Sequence, residues 1–186
     1  MLRSILVVMT AATIALIIAA AFFCGGGEVG EIDRRAMGLY GEGKYDEATA
    51  AWRQGLEKFP ESAQLHYGLG TMLAVRRDFA GAEKHLETAV RLAPQEPKFR
   101  KELALAYFQD QRLDDAEREL KAVIAEADWF PEAHYYLGHL YEQRGERDRA
   151  LEEYVRELNV NPSCTFAWAK VQTWEQRPET RNRKPD

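Results

Sequence analysis

Small and large apolar residues recur along this chain at a fixed step of 34. Ala48, Ala82, Ala116 and Ala150 keep that step, and so do Ala36, Gly70, Ala104 and Gly138. Leu39, Leu73, Tyr107 and Tyr141 follow it, as do Trp52, Leu86, Leu120 and Tyr154. Within each period the apolar residues fall three and four apart, as in Leu65, Leu69, Met72 and Leu73, which is the spacing of one helix face. The pattern predicts helices near 31–42, 45–58, 63–76, 79–92, 97–110, 113–126, 131–144, 147–160 and 165–175. Polar and glycine-bearing breaks separate partner helices at Gly41-Glu42-Gly43, Arg77-Asp78, Gln111-Arg112 and Gly145-Glu146, while Pro60, Pro94 and Pro162 separate successive pairs. Small residues let two helices approach and large ones fill the space between pairs, so each pair buries its apolar face by stacking on its neighbours. A helical solenoid is the expected product. The last predicted helix, Thr165–Glu175 with Phe166, Trp168, Val171 and Trp174, has no partner and reads as a cap.

These residues resemble the tetratricopeptide repeat family. The second unit, 63–96, carries Leu69-Gly70, Leu73, Phe79, Ala82, Leu86, Ala89 and Pro94 at the family's signature places. The fourth, 131–164, carries Leu137-Gly138, Tyr141, Ala150, Tyr154 and Pro162; the first, 29–62, keeps Gly43, Tyr45, Ala48, Trp52 and Pro60. The third, 97–130, keeps Leu103-Ala104, Tyr107, Leu113, Ala116 and Leu120. Arg35 stands where the first unit should have leucine, Gly55 and Glu157 replace small apolar residues, and Asp128 replaces a closing proline. The resemblance implies an all-α, right-handed α-solenoid of four tetratricopeptide-type helix pairs over 29–176, with the cap at 165–176.

Ahead of the repeats lies a segment of different character. Ile5 to Phe23 is nineteen residues without a charge, preceded by Arg3. As a helix it spans about 28–30 Å, the thickness of a bilayer's hydrocarbon core. Residues 1–23 are therefore expected to be a transmembrane or signal helix. Three outcomes stand open: an uncleaved single-pass anchor, cleavage after Ala19-Ala20-Ala21, or lipidation at Cys24 after cleavage before it. The nineteen-residue length exceeds an ordinary signal core and favours the anchor. Phe23 stands where a bacterial lipobox has a small residue, which counts against lipidation. A basic start favours export, with the repeats on the extracytoplasmic, periplasmic side, although Arg34 and Arg35 leave the positive charge nearly balanced across the segment. Residues 24–30, Gly-rich, read as a linker, and 177–186 as a disordered tail. Cys24 and Cys164 are the two cysteines, too far apart in the predicted layout to pair.

Charge and motifs narrow the chemistry. A net charge of −5 over 186 residues, with no basic stripe, excludes duplex nucleic acid as a ligand class. Gly38 to Lys44 approaches a phosphate-binding loop in spelling, but Tyr45 stands where Ser or Thr must hold Mg²⁺, and the segment falls in a helix–helix turn. His134 and His139, five apart, do not share a helix face as zinc ligands do, and His66 and His134, in equivalent places, read as packing or solvent-facing residues. No serine or cysteine has a base at a defensible spacing. The expectation is a protein that is not an enzyme, with no cofactor, metal or small-molecule substrate.

Binding remains. In the family that these residues resemble, the first helix of each pair lines a concave groove that holds an extended peptide or a partner helix. By register that groove presents Asp33, Met37 and Tyr40, then Tyr67, Thr71 and Ala74, then Lys101, Leu105 and Phe108, then Tyr135, His139 and Glu142. The strongest candidates are Met37, Tyr40, Tyr67, Thr71, Lys101, Leu105, Phe108, Tyr135 and His139. Tyrosine suits recognition because it offers a large rigid face and a hydroxyl. The lysine–asparagine–arginine clamp of family members that hold chaperone C-termini is absent, since only Lys101 fits it. The expected function is a membrane-tethered scaffold or adaptor for a protein partner, as an assembly factor or accessory subunit of an envelope complex. The alternatives are a structural subunit that docks by its anchor and outer faces, and a secreted or lipid-anchored protein. Small residues at Ala11, Ala12, Ala15 and Ala19 to Ala21 would let the apolar segment pack closely on other helices in lipid.

Overall fold

The computed structural model describes residues 27–175. They form α1 (27–41), α2 (Tyr45–Lys58), α3 (Ala63–Val75), α4 (Phe79–Leu92), α5 (Pro97–Gln109), α6 (Leu113–Glu126), α7 (Ala133–Gln143), α8 (Arg147–Val160) and α9 (Thr165–Glu175), with no strand among the described residues. The expected segment 1–23, Cys24 and the tail from 177 lie outside the described residues. Among those described, no helix is long and apolar enough to cross a membrane. Residues 27–30, expected in the linker, are the first turn of α1, where Val29 packs on the core.

The helices pair as α3 with α4, α5 with α6 and α7 with α8, and each pair packs on the next through α4–α5 and α6–α7. The turn inside each pair repeats one geometry. Gly43, Arg77, Gln111 and Gly145, 34 apart, all have φ between 62° and 78°. Each donates its N–H three residues back, and the next residue donates five back: Lys44 to Leu39, Asp78 to Leu73, Arg112 to Tyr107 and Glu146 to Tyr141, all at 2.9 Å. This double closure satisfies carbonyls that a helix end leaves free. At the helix starts, the Ser62 side chain accepts from the Leu65 N–H and Asp78 from the Gly81 N–H, while Pro97 opens α5.

The 34-residue register is a packing rule. Gly70 lies against Leu86, and Gly138 against Tyr154, so closely that a Cβ would stand 2.7 Å and 2.8 Å from those side chains. Between pairs, a Cβ on Gly68 would sit 2.4 Å from the Trp52 indole nitrogen. Ala36, Ala48, Ala82, Ala104, Ala116 and Ala150 are all fully buried, beside Trp52, Leu65, Leu86, Leu120 and Tyr154. Residues that touch at this closeness exclude water and keep their dispersion contacts, which is where such a layered core gains its stability.

Charged ties run between successive pairs. Arg112 reaches Glu83 at 2.9 Å, and Arg144 reaches Glu117 and Asp114; Arg76 holds Asp46 in the same way near the first pair. The Tyr107 hydroxyl donates to Glu83 at 3.1 Å and, one unit later, Tyr141 donates to Glu117 at 2.9 Å. Burial opposes charge on Glu117, but hydrogen bonds from Lys121, Arg144 and Tyr141 outweigh it and bring its pKa down to about 2.

Two departures from the family pattern have structural explanations. Gly55 leaves room for Ile32 and Leu65, each of which would come within 2.9 Å of a Cβ there. Glu157 is 0% exposed. It accepts the backbone N–H of Glu132 at 2.8 Å and of Tyr135 at 3.3 Å, and so caps α7 from the neighbouring helix. That cap matters because Glu132, at φ 70°, makes no side-chain cap of its own. The same turn explains why α7 starts at Ala133 and not at Pro131. His134, expected to pack or face solvent, is buried and doubly bonded, its Nδ1 to Glu153 at 2.6 Å and its Nε2 to Asp128 at 2.9 Å. Asp128, in place of the closing proline, thus has a partner.

Candidate partner-binding groove

Helix approach identifies the inner face. α3 meets α5 and α5 meets α7, whereas α2, α4, α6 and α8 make no comparable approach to one another among the described residues. A stack whose first helices are closer than its second helices curves towards the first, so α1, α3, α5 and α7 line the concave side.

The register places the candidates on these helices, and the structure separates them into available and committed groups. Met37 is 52% exposed, and Tyr40 rests against Tyr45 with ring centroids 5.5 Å apart. Tyr67 lies half-buried against Phe99 at 5.0 Å, one helical turn from half-buried Thr71. Burial, with the charge of Glu102 nearby, pushes the Tyr67 hydroxyl up to about 12, so it stays a neutral donor. Leu105 and Phe108 are half-buried on α5.

Phe108 begins a continuous aromatic run. Its ring is 5.2 Å from His139, His139 stacks on Tyr135 at 6.2 Å with an interplanar angle of 11°, and Tyr135 meets Phe166 of α9 at 5.8 Å. Tyr135 also touches Tyr136 and Tyr154 at 5.2 Å and 5.8 Å. Burial, with Lys170 adding to it, lowers the His139 pKa, which keeps this run uncharged at neutral pH. Phe166 ends the run 66% exposed. An apolar, rigid, partly open aromatic surface of this kind takes up apolar anchors of a peptide or helix with little loss of side-chain freedom.

Other candidates are already engaged. Lys101 is held by Glu132 at 2.9 Å and lies over the Phe130 and Tyr136 rings, so it supports the groove wall more than it offers a free charge. Asp33 turns inward to accept from the Trp52 indole and from Gln64, each at 2.9 Å. Glu142 accepts from the Tyr154 hydroxyl at 2.8 Å and from Lys170 at 2.6 Å, and Ala74 is buried. Sequence reasoning treated Phe166 only as part of a packing cap. The contact of Phe166 with Tyr135 depends on how α9 docks on α8, which periodicity does not give. No group of three or more His, Cys, Asp or Glu that could hold a metal occurs among the described residues.

Known proteins place the architecture. The crystal structure of MamA superposes with a TM-score of 0.68 at 22% identity, covering 79% of this chain and 86% of that one. PilF of Pseudomonas aeruginosa gives 0.73 at 17% identity, covering 79% and 67%. MamA from residue 41 onward, from Desulfovibrio magneticus RS-1, gives 0.66 at 20% identity, covering 73% and 77%. At these identities the likeness is one of fold. A search of curated proteins gave no match. Two sequence profiles, each described as tetratricopeptide repeat, match residues 34–97 and 76–128 and together run from within α1 to just beyond α6. The chain belongs to the tetratricopeptide repeat family.

Proposed function

We propose that this protein is a non-enzymatic scaffold that holds a peptide or amphipathic helix of a protein partner in its concave groove. The observation that carries the reading is the aromatic run Phe108–His139–Tyr135–Phe166, uncharged and open at its α9 end. A ligand helix with apolar residues at i, i+3, i+4 and i+7 fits such a surface. Met37 and Tyr40 supply a second apolar contact point at the other end of the groove.

The scaffold works from a membrane in this proposal. The nineteen uncharged residues from Ile5 to Phe23 would anchor it as a single-pass helix, with the repeats on the extracytoplasmic side. Tethering raises the local concentration of the groove for partners in the same membrane. An accessory subunit or assembly factor of an envelope complex needs that arrangement. Recovering the partner in mild detergent with both the full chain and a Met1–Gly27 deletion supports recognition by the repeats. Recovery with the full chain alone favours a structural subunit that uses its anchor as part of the interface, a reading to which the small residues Ala11, Ala12, Ala15 and Ala19 to Ala21 lend support.

A further inference from the structure

In the middle of the groove the lysines are committed and one carboxylate is not. Lys101 is held by Glu132 at 2.9 Å, and Lys170 by Glu142 at 2.6 Å. Lys98 lies 3.7 Å from Glu96 and over the Tyr67 and Phe99 rings, with Gln64 accepting from it at 3.4 Å. Asp33, which has no cation, accepts from Trp52 and Gln64. Glu102 on α5 has neither. It is half-buried, and among the described residues no hydrogen bond or ion pair ends on it. Its charge bears on Tyr67 of α3 and on Tyr136 of α7, which holds the same repeat position one unit later. A side chain of α5 that acts on both neighbouring first helices faces the groove they line. Aromatic rings frame it on both sides, Tyr67 with Phe99 at 5.0 Å and Tyr136 with Tyr135 at 5.2 Å.

We propose that Glu102 receives a lysine or arginine side chain of the partner, so that the groove selects segments that combine a basic residue with apolar anchors. The inference rests on the groove as a peptide site and adds the sign of the charge that its ligand carries. A cationic N–H donor supplies the two things Glu102 lacks, a hydrogen bond and an opposing charge, and charge-assisted bonds of this kind are the strong ones. The tyrosine faces beside it favour a cation a second time. Burial raises the Glu102 pKa, against Lys101 and with Glu132 adding to it, so the carboxylate gains when a cation joins it. A wholly apolar ligand would instead cover the carboxylate without pairing it, and an acidic one would repel it. Lys101 does not fill this place, because its ammonium is already turned to Glu132.

Panning a random-peptide phage library on the full chain in detergent micelles tests this, beside Glu102→Gln, whose melting curve verifies that it folds. The expected result on the parent is enrichment of lysine or arginine together with apolar residues. On Glu102→Gln the apolar residues alone should be enriched. A selected peptide, made synthetically, should bind the parent at least tenfold more tightly than Glu102→Gln. With its basic residue changed to glutamine, the same peptide should bind both proteins alike, which isolates the pair. That peptide change also tests the pairing on the unaltered protein, where it should cost at least tenfold in affinity. Apolar peptides with no basic preference, or a basic peptide that Glu102→Gln binds as tightly as the parent, overturn the charge pairing and leave the groove as a peptide site. Enrichment of no peptide by the parent overturns both.

Discussion

The buried carboxylate of Glu157 accepts the backbone N–H of Glu132 at 2.8 Å, so α8 caps the start of α7. Tyr135 donates to the second carboxylate oxygen at 3.3 Å, and the Asn161 side chain also donates to the group at 3.3 Å. A position that the repeat family fills with a small apolar residue is here a hydrogen-bond acceptor. Replacing it with leucine leaves the α7 N–H groups buried without a partner, at a cost of about 1–3 kcal/mol. Urea unfolding of Glu157→Leu should show that loss, and Glu157→Gln, which retains an acceptor oxygen, should lose less. Equal stability of the leucine variant and the parent would remove the cap from the account.

Gly68 tests the close approach of the first two pairs. Alanine is the better helix former by about 1 kcal/mol, so propensity alone would make Gly68→Ala stabilising. The new Cβ, however, meets the Trp52 indole at 2.4 Å and 2.6 Å. The indole is buried and bonded to Asp33, and it has no free direction in which to move. Overpacking should win, and the net change should be a destabilisation of roughly 1–3 kcal/mol by thermal or urea unfolding.

The four left-handed turn residues predict opposite effects from opposite substitutions. Gln111 sits at φ 62° and Gly145 at φ 78° in equivalent turns. A side chain in that region costs about 1–2 kcal/mol, which glycine avoids at the expense of greater unfolded-state freedom. Gln111→Gly should therefore raise stability by about 0.5–1 kcal/mol, and Gly145→Ala should lower it by about 1 kcal/mol. Unfolding curves of the two variants provide the comparison.

Two histidines should give stability profiles of opposite slope. The hydrogen bond to Glu153 raises the His134 pKa above its ordinary 6.5, against burial and with help from Asp128. Arg156 is the other charge in that cluster, paired with the far oxygen of Glu153 at 2.6 Å. A pKa that rises on folding adds stability below the unfolded value and loses it as the pH climbs through the folded one. The contribution of His134, taken as parent minus His134→Gln, should be fully present below pH 6.5 and fade above it. Burial lowers the His85 pKa from the same 6.5, so parent minus His85→Gln should be fully present above 6.5 and fade as the pH falls. Chemical unfolding across this range reads both.

Most of the layered core was legible because it is a matter of period. Helices α2, α4, α6, α8 and α9 occupy the expected spans, since their apolar face and their breaks recur every 34 residues. What the period could not carry was polar and individual. Glu157 reads as a mismatch until the N–H groups of α7 are seen above it, and Asp33 reads as a groove residue until Trp52 and Gln64 turn it inward. The His66–His85 pair, nineteen residues apart, requires knowing which faces of α3 and α4 meet. The groove aromatics Tyr135 and His139 follow from register, whereas Phe166 joins them only through the docking of α9.

Phe166 stands at the open end of the aromatic run proposed to receive a protein partner. It is exposed, so Phe166→Glu should fold and melt like the parent while placing a charge on the apolar run. Val155, exposed on α8 away from the concave side, gives a matched control as Val155→Glu. The full-length chain and both variants would be purified from whole-cell extracts in mild detergent, and the co-purifying partner quantified. Phe166→Glu should recover at least tenfold less partner than the parent, and Val155→Glu as much. Equal recovery with Phe166→Glu would contradict recognition by that run.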